Sequence, residues 1–297
     1  MKIQVIVNPA AGGGKGERLF PHLLGQIKDF CPSANCFLSR NPQDALTLAQ
    51  EVLRQGCDCL AVGGGDGTVH SVLPAMVNHP AALGVIPLGG ANDLARNWSI
   101  PLDLGGALGV LRRGQPQPID VIATDSGSYI AGAGGVGFDV AVIEQAQLWR
   151  RRWKGISPFF LAVPLEFMRY RFPWVSIQAQ DWQYSGPAWQ VLFTKIQRYA
   201  LLINITSSVK LDDGLMGICV VPAAPKLRIL ARSPLLPFLG FQSLLEVRFV
   251  KVSWVKITSS PPLLFHGDGD VIGQTPISLR ILPRAIKVMM PMASGHP

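Results

Sequence analysis

Residues Cys59-Leu60-Ala61-Val62-Gly63-Gly64-Gly65-Asp66-Gly67-Thr68 decide how this chain is read. Four apolar residues followed by a glycine cluster read as a buried strand entering a turn. Glycines carry no Cβ, so successive amide N–H groups can converge on an anion, and a helix starting near Thr68 would point its positive end at the same place. Strand, bare turn and helix in that order make a phosphate-binding loop. Asp66 repels phosphate. Its fitting role is to hold Mg²⁺, or metal-bound water, beside phosphate oxygens, because hard cations prefer carboxylate oxygen.

Outward from this loop the strand–helix unit repeats. Apolar periodicity predicts strands over 2–8, 35–39, 57–62, 83–87 and 119–123, and helices over 18–30, 43–55, 68–77, 92–98 and 104–112. Such alternation implies a doubly wound parallel sheet, in which ligands sit beyond the carboxyl ends of the strands. Two further loops fall there. Asn8-Pro9-Ala10-Ala11-Gly12-Gly13-Gly14-Lys15-Gly16 follows the first strand, and Pro87-Leu88-Gly89-Gly90-Ala91-Asn92-Asp93 follows the fourth. The former is not a Walker A loop, which requires Gly at the position of Pro9 and Ser or Thr at that of Gly16. In the latter, Asp93 either caps the following helix or joins Asp66 from the adjacent loop.

After residue 123 the texture changes to short apolar strands and prolines, with one helical region over 138–167. Strands are predicted over 175–179, 200–205, 215–220, 247–257, 263–265, 277–282 and 285–290. The expected organisation is α/β plus β: an α/β domain over 1–122 and a largely β domain over 123–297, with the last residues free to return to the first domain. Gly132, Gly134 and Gly137 spell a dinucleotide-type GxGxxG. It lies where the regular series has ended, and no acidic residue follows about twenty positions on, so close backbone packing at a domain interface is the better reading.

Composition agrees with two domains and restricts the setting. The chain has 297 residues, 48% of them hydrophobic and 15% charged, and a mean hydropathy of +0.27. It should fold and bury a substantial core. The longest apolar stretches, such as 156–167, are interrupted by Pro158, Pro164 and Glu166, short of the roughly 18 residues of a membrane span. The amino terminus runs straight into a strand without a leader layout, so a cytoplasmic location is expected. Five cysteines suit reduced thiols, and Cys57 and Cys59 lack the second ligand pair that zinc would need. The net charge of +8 is concentrated where Trp149-Arg150-Arg151-Arg152-Trp153-Lys154, Phe159-Phe160-Leu161 and Met168-Arg169-Tyr170-Arg171-Phe172-Pro173-Trp174 mix cations with bulky apolar groups. That mixture suits peripheral docking on an anionic membrane surface. Nucleic acid is not expected, because no recognised binding motif accompanies the patch.

Taken in order, Asn8-Pro9 with its glycine-rich loop, GGGDGT at 63–68, PLGGANDLAR at 87–96, GVGFD at 135–139, LDDG at 211–214 and GDGD at 267–270 resemble the bacterial diacylglycerol-kinase-like lipid kinases, to which sphingosine and ceramide kinases are similar at greater distance. The resemblance spans nearly the whole chain. It implies an ATP-binding α/β domain, a β-sandwich domain that accepts a lipid, and a cleft between them. ATP would be met by Asn8, Ser39, Gly64, Gly65, Asp66, Gly67, Thr68, Val69, His70, Ser71, Gly89, Gly90, Asn92 and Asp93. Asp66, Asp93 and Asp120 resemble acidic residues linked to Mg²⁺ and its water shell. Lys210, Asp213 and Leu215 match a structural Mg²⁺ site, made of one carboxylate and two backbone carbonyls. Asp270 matches the proton acceptor, with Asp268 alongside.

The activity implied is transfer of the γ-phosphate of ATP to a lipid hydroxyl, with a lipid alcohol and an anionic membrane as partners and a homodimer left open. This sequence departs from the family pattern at Gly90, where Thr is usual, at His70-Ser71, where Asn-Glu is usual, and at Asp270, where Glu is usual. The alternatives these features leave are an NAD kinase, which shares the GGDGT loop, and a catalytically impaired nucleotide-binding membrane adaptor.

Overall fold

The computed structural model describes residues 1–150, 157–199, 203–205, 208–235, 238, 240 and 247–292. The chain forms two compact units, one of Met1–Ile119 with the segment from Arg284 onward, the other of Asp120–Pro283.

In the first unit, strands β1 (Ile3–Val7), β2 (Asn35–Leu38), β3 (Cys59–Gly64) and β4 (Ala82–Pro87) alternate with helices α1 (Ala11–Lys28), α2 (Pro42–Arg54) and α3 (Asp66–Met76). Helices α4 (Asp93–Asn97) and α5 (Leu104–Arg113) follow. The strands pair in parallel in the order β2-β1-β3-β4. Every residue of β1, β3 and β4 is buried, as expected of a parallel sheet covered on both faces. Local chemistry sets the helix ends: the Asn41 side chain accepts from the Asp44 amide with Pro42 following it, and Asp103 accepts from the Gly106 amide.

The second unit opens with the last five residues of β5 (Gln115–Thr124), then β6 (Tyr129–Ile130) and β7 (Ala133–Gly137). Two helices follow, α6 (Phe138–Arg150) and α7 (Ser157–Arg169), where one helical region was expected. The succeeding strands are β8 (Trp174–Ala179), β9 (Gln183–Thr194), the short β10 (Arg198–Tyr199) and β11 (Ile203–Asn204), and β12 (Met216–Pro222). Helix α8 (Lys226–Arg232) precedes β13 (Arg248–Val252), β14 (Trp254–Ser260), β15 (Leu264–Gly267), β16 (Asp270–Gln274) and β17 (Ile277–Met290). Strand β9 belongs to two antiparallel sheets: Gln183–Pro187 pairs with β8, whereas Gln190–Thr194 pairs with β7 and β12. The change of partner falls just after Gly186-Pro187, which also broke the alternation in the sequence and hid this strand.

Inward residues of both sheets, among them Ile177, Val191, Phe193, Ile218, Val255, Phe265 and Ile277, form one core, each contributing about 1.5–3 kcal/mol by leaving water. The single strand expected over 247–257 is two, divided at Ser253, and those expected over 277–282 and 285–290 are one continuous strand through Pro283 and Arg284. Pro283 breaks the apolar pattern in the sequence, and Arg284 takes a φ of 50° in the strand. The carboxyl half of β17 adds to the first unit, pairing in parallel with β4.

Candidate functional site

In the first unit the three glycine-bearing loops converge at the carboxyl ends of β1, β3 and β4. Gly65 and Gly89 face each other with nothing between: a Cβ on Gly89 would lie 2.5 Å from the Gly65 Cα, and one on Gly65 would lie 3.1 Å from the Gly89 Cα. The first loop joins them. Gly12, at a φ of 58°, packs on the Leu88 carbonyl so closely that a Cβ would collide with it. Helix α1 starts at Ala11, seven residues before the predicted start, and the glycines at 12–14, all at positive φ, interrupt its first turn.

Hydrogen bonds lock the loops. Asn8 Nδ2 donates to Thr68 Oγ1 at 3.1 Å, and Asn8 Oδ1 accepts from the Ala10 amide at 3.0 Å. Asn92, left-handed at a φ of 51°, exchanges two bonds with Gly89, accepting from its amide at 3.0 Å and donating to its carbonyl at 2.9 Å. Asp66 is the first residue of α3 rather than a loop residue, and both its oxygens accept amides at the start of α4, from Asp93 at 3.0 Å and Leu94 at 2.9 Å. Asp66 and Asp93 are thereby brought together. A carboxylate oxygen has two lone pairs, so accepting one amide does not by itself bar an oxygen from a second donor. Other expected contacts are less open. Ser39 is buried and directs its hydroxyl to the Val7 carbonyl at 3.4 Å, Val69 lies in the core, and the Ser71 hydroxyl donates to the Gly67 carbonyl at 2.7 Å.

The second unit holds the remaining candidates. The turn between β15 and β16 separates two carboxylates that look alike in sequence. Asp268, at a φ of 51°, accepts amide hydrogens from Ala131, Gly132 and Ala133 at 3.0, 2.8 and 3.2 Å. It is a clamp on the chain. Asp270 is exposed at the first position of β16, opposite Gly267. Beside this turn sits a polar cluster that sequence reading missed: the buried His266 Nε2 lies 2.7 Å from Asp139 Oδ2 and 3.1 Å from the Tyr199 hydroxyl. Its components are 127 and 67 positions apart; the only signals were GVGFD ending in Asp139 and His266 preceding GDGD. Gly134 and Gly135 of the GxGxxG stretch lie in β7, where a Cβ would strike the Phe193 ring or the Asp139 carboxylate. Those glycines serve close packing inside this unit.

Of the residues expected to hold a structural Mg²⁺ at Lys210, Asp213 and Leu215, two share a lysine partner with Asp120. Lys195 Nζ, 1% exposed, donates to Asp120 Oδ2 and Asp213 Oδ1, both at 2.9 Å, and to the Leu215 carbonyl at 2.7 Å. Lys251 Nζ takes the other oxygen of Asp213 at 3.0 Å, and the Gly214 amide donates to Asp120 Oδ2 at 2.7 Å. Burial opposes the charge of Asp213, but the bonds from Lys195 and Lys251 outweigh it and hold its carboxyl below the usual aspartate value. An ammonium already sits on two of the three expected ligands, so the residues present do not fit a divalent cation there. Among the described residues no group of three His, Cys, Asp or Glu side chains is gathered to hold a metal. Mg²⁺ beside Asp66 and Asp93 would need water and phosphate to complete its shell, its usual habit. Burial pushes the thiols of Cys59 and Cys219 up to about 12, so both stay protonated at neutral pH.

Part of the basic, aromatic stretch lies outside the described residues, at 151–156. Within the rest, Trp149 is partly buried against Val142, Ala146 and Ala162 of the α6–α7 pair. Leu148, Met168, Leu227 and Leu230 are exposed by 62, 72, 78 and 55%. Lys226 Nζ donates to the Met168 carbonyl at 2.7 Å, which joins the end of α7 to the start of α8. Arg169, Arg171, Arg228 and Arg232, in or next to α7 and α8, are exposed as well. No helix among the described residues is long and apolar enough to cross a membrane.

A parallel α/β unit with glycine loops at its strand ends, joined in one chain to a β-sandwich unit, defines a two-domain α/β plus β class of protein. Comparison with known proteins narrows the class. The diacylglycerol kinase catalytic domain matches residues 2–124, and the YegS C-terminal NAD kinase beta sandwich-like domain matches residues 132–290, more than half of the chain. The chain belongs to the diacylglycerol-kinase-like lipid kinase family, phosphotransferases with an alcohol acceptor. It is 25% identical over 97% of its length to a protein of Serratia proteamaculans (strain 568) named "Probable lipid kinase YegS-like", 93% of which is covered. A relative of the same name from Yersinia pestis (strain Pestoides F) is 26% identical, with 84% of each chain covered. In fold, the chain matches a diacylglycerol kinase structure from Bacillus anthracis str. Sterne with a TM-score of 0.77 at 20% identity, covering 98% of this chain and 97% of that one.

Proposed function

We propose that this protein is an ATP- and Mg²⁺-dependent kinase that transfers the γ-phosphate to the hydroxyl of a lipid while docked peripherally on an anionic membrane. The observation that carries the reading is the bare backbone contact of Gly65 with Gly89, which keeps side chains out of the place where the loops after β1, β3 and β4 meet. Amides of these loops bind the phosphates, aided by the start of α3. Mg²⁺ held by Asp66 and Asp93 through water would neutralise charge on the β- and γ-phosphates. Asp270 takes the proton of the lipid hydroxyl as its oxygen bonds to the γ-phosphorus and the bond to ADP breaks. Asp268 fixes the turn that presents Asp270. The exposed leucines and Met168, with exposed arginines on the same segments, support contact with anionic lipid.

The test is incubation with γ-labelled ATP, Mg²⁺ and mixed vesicles carrying diacylglycerol, phosphatidylglycerol or a sphingoid base, with NAD as a separate acceptor. Label in a lipid is expected. Label in NAD alone would replace the reading by an NAD kinase, and nucleotide binding without transfer would favour the impaired adaptor, to which Gly90 lends support by offering no hydroxyl to phosphate.

A further inference from the structure

The disagreement at Lys210, Asp213 and Leu215 has a positive content. We propose that the ammonium of Lys195 permanently takes the place of a structural divalent cation in the β-sandwich unit, so that this unit is organised by a cation carried on its own chain. The donor side of the geometry is complete. An ammonium has three N–H donors, and Lys195 spends them on three acceptors at 2.7–2.9 Å while the side chain is 1% exposed. Its backbone is fixed too: the Lys195 amide donates to the Gly132 carbonyl at 2.8 Å, and Thr194 Oγ1 bridges the Ile196 amide and carbonyl at 3.0 and 2.7 Å.

Charge also closes. Asp120 and Asp213 carry two negative charges, and Lys195 and Lys251 supply two positive ones. An additional Mg²⁺, which needs oxygen ligands at about 2.0–2.1 Å in an octahedron, would have to share Asp213 Oδ1 and the Leu215 carbonyl with the ammonium, placing like charges in contact at a buried position. The two cations exclude each other. The acceptors come from strand β5 and from the 211–215 turn, which the Asp120 amide also grips through the Leu211 carbonyl at 2.8 Å. Lys195 therefore joins the end of β9 to both segments, which is what a structural ion in this position would do.

The experiment omits nucleotide, so that a catalytic Mg²⁺ cannot contribute and the kinase reading is not at stake. Purified full-length protein is dialysed against EDTA, measured for bound metal by mass spectrometry, and melted in EDTA and in millimolar Mg²⁺. The expected result is no retained divalent ion and the same unfolding temperature in both buffers. Lys195→Met, which keeps the apolar stem and removes the charge, should melt at a lower temperature or fail to fold. One equivalent of divalent metal in the wild-type protein, or a melting temperature that EDTA lowers and Asp213→Asn makes insensitive to EDTA, would overturn the inference. So would a Lys195→Met protein as stable as wild type in EDTA.

Discussion

Adding one methyl group at Gly89 tests the loop geometry most sharply. The Cβ of Gly89→Ala would lie 2.5 Å from the Gly65 Cα, 2.8 Å from Asn92 Oδ1 and 3.3 Å from the Gly65 amide nitrogen, where ordinary contact begins at 3.4 Å. Neither neighbour yields easily. One is backbone, and the other is held by two hydrogen bonds to Gly89 itself. Relief thus requires the loops after β3 and β4 to separate by about 1 Å, a displacement that can cost on the order of a hundredfold in rate when it affects positioning of reacting groups. Overpacking of this kind destabilises by about 1–3 kcal/mol, so the variant should remain folded. Gly25→Ala is the matched control: that glycine lies in α1 with nothing within 4 Å of the added Cβ, and the change should stabilise by about 0.5–1 kcal/mol. The assay is equilibrium binding of a fluorescent ATP analogue, with turnover and thermal unfolding measured on the same preparations. Gly89→Ala protein that binds nucleotide and turns over like Gly25→Ala would refute the claim that backbone contact between these loops shapes the site.

Other expectations are as direct. Asp270→Asn should lower kcat with no change in unfolding temperature, whereas Asp268→Ala should unfold at lower temperature, since three amides lose their acceptor at about 1–3 kcal/mol for each left unsatisfied; equal effects of the two on stability would contradict the division of roles. Asp213 has a depressed folded value, so its contribution to stability is present above the unfolded pKa of about 3.9 and is lost as pH falls through the lower folded value. Urea midpoints followed into acid should therefore fall less steeply in that range for Asp213→Asn. Vesicle flotation should show stronger binding to anionic than to neutral lipid, weakened by Met168→Ser with Leu227→Ser; binding indifferent to both changes would remove the proposed docking face.

The first unit was legible because β1, β3 and β4, buried on both faces, read as apolar runs, and each is followed by a glycine-rich loop. The Cys59–Gly64 strand and its loop are the plainest case. Strand β9 was illegible because Gly186-Pro187, where the strand passes from one sheet to the other, looks locally like a turn. Side-chain partnerships across long separations left no local trace. Nothing near Lys195 announces that its ammonium meets Asp120, 75 positions away, or that Asp139 pairs with His266. The two carboxylates of Gly267-Asp268-Gly269-Asp270 could be found but not told apart, because their difference lies in a positive φ at Asp268 and in amides contributed from 131–133.

The account rests on three separate loops holding one triphosphate, and hydrogen–deuterium exchange with and without ATP and Mg²⁺ measures that directly. Backbone amides in 8–16, 63–71 and 87–97 should gain protection together on binding, and the Asp66→Ala protein should show much less of it. Protection confined to one loop, or arising elsewhere in the chain, would contradict the site.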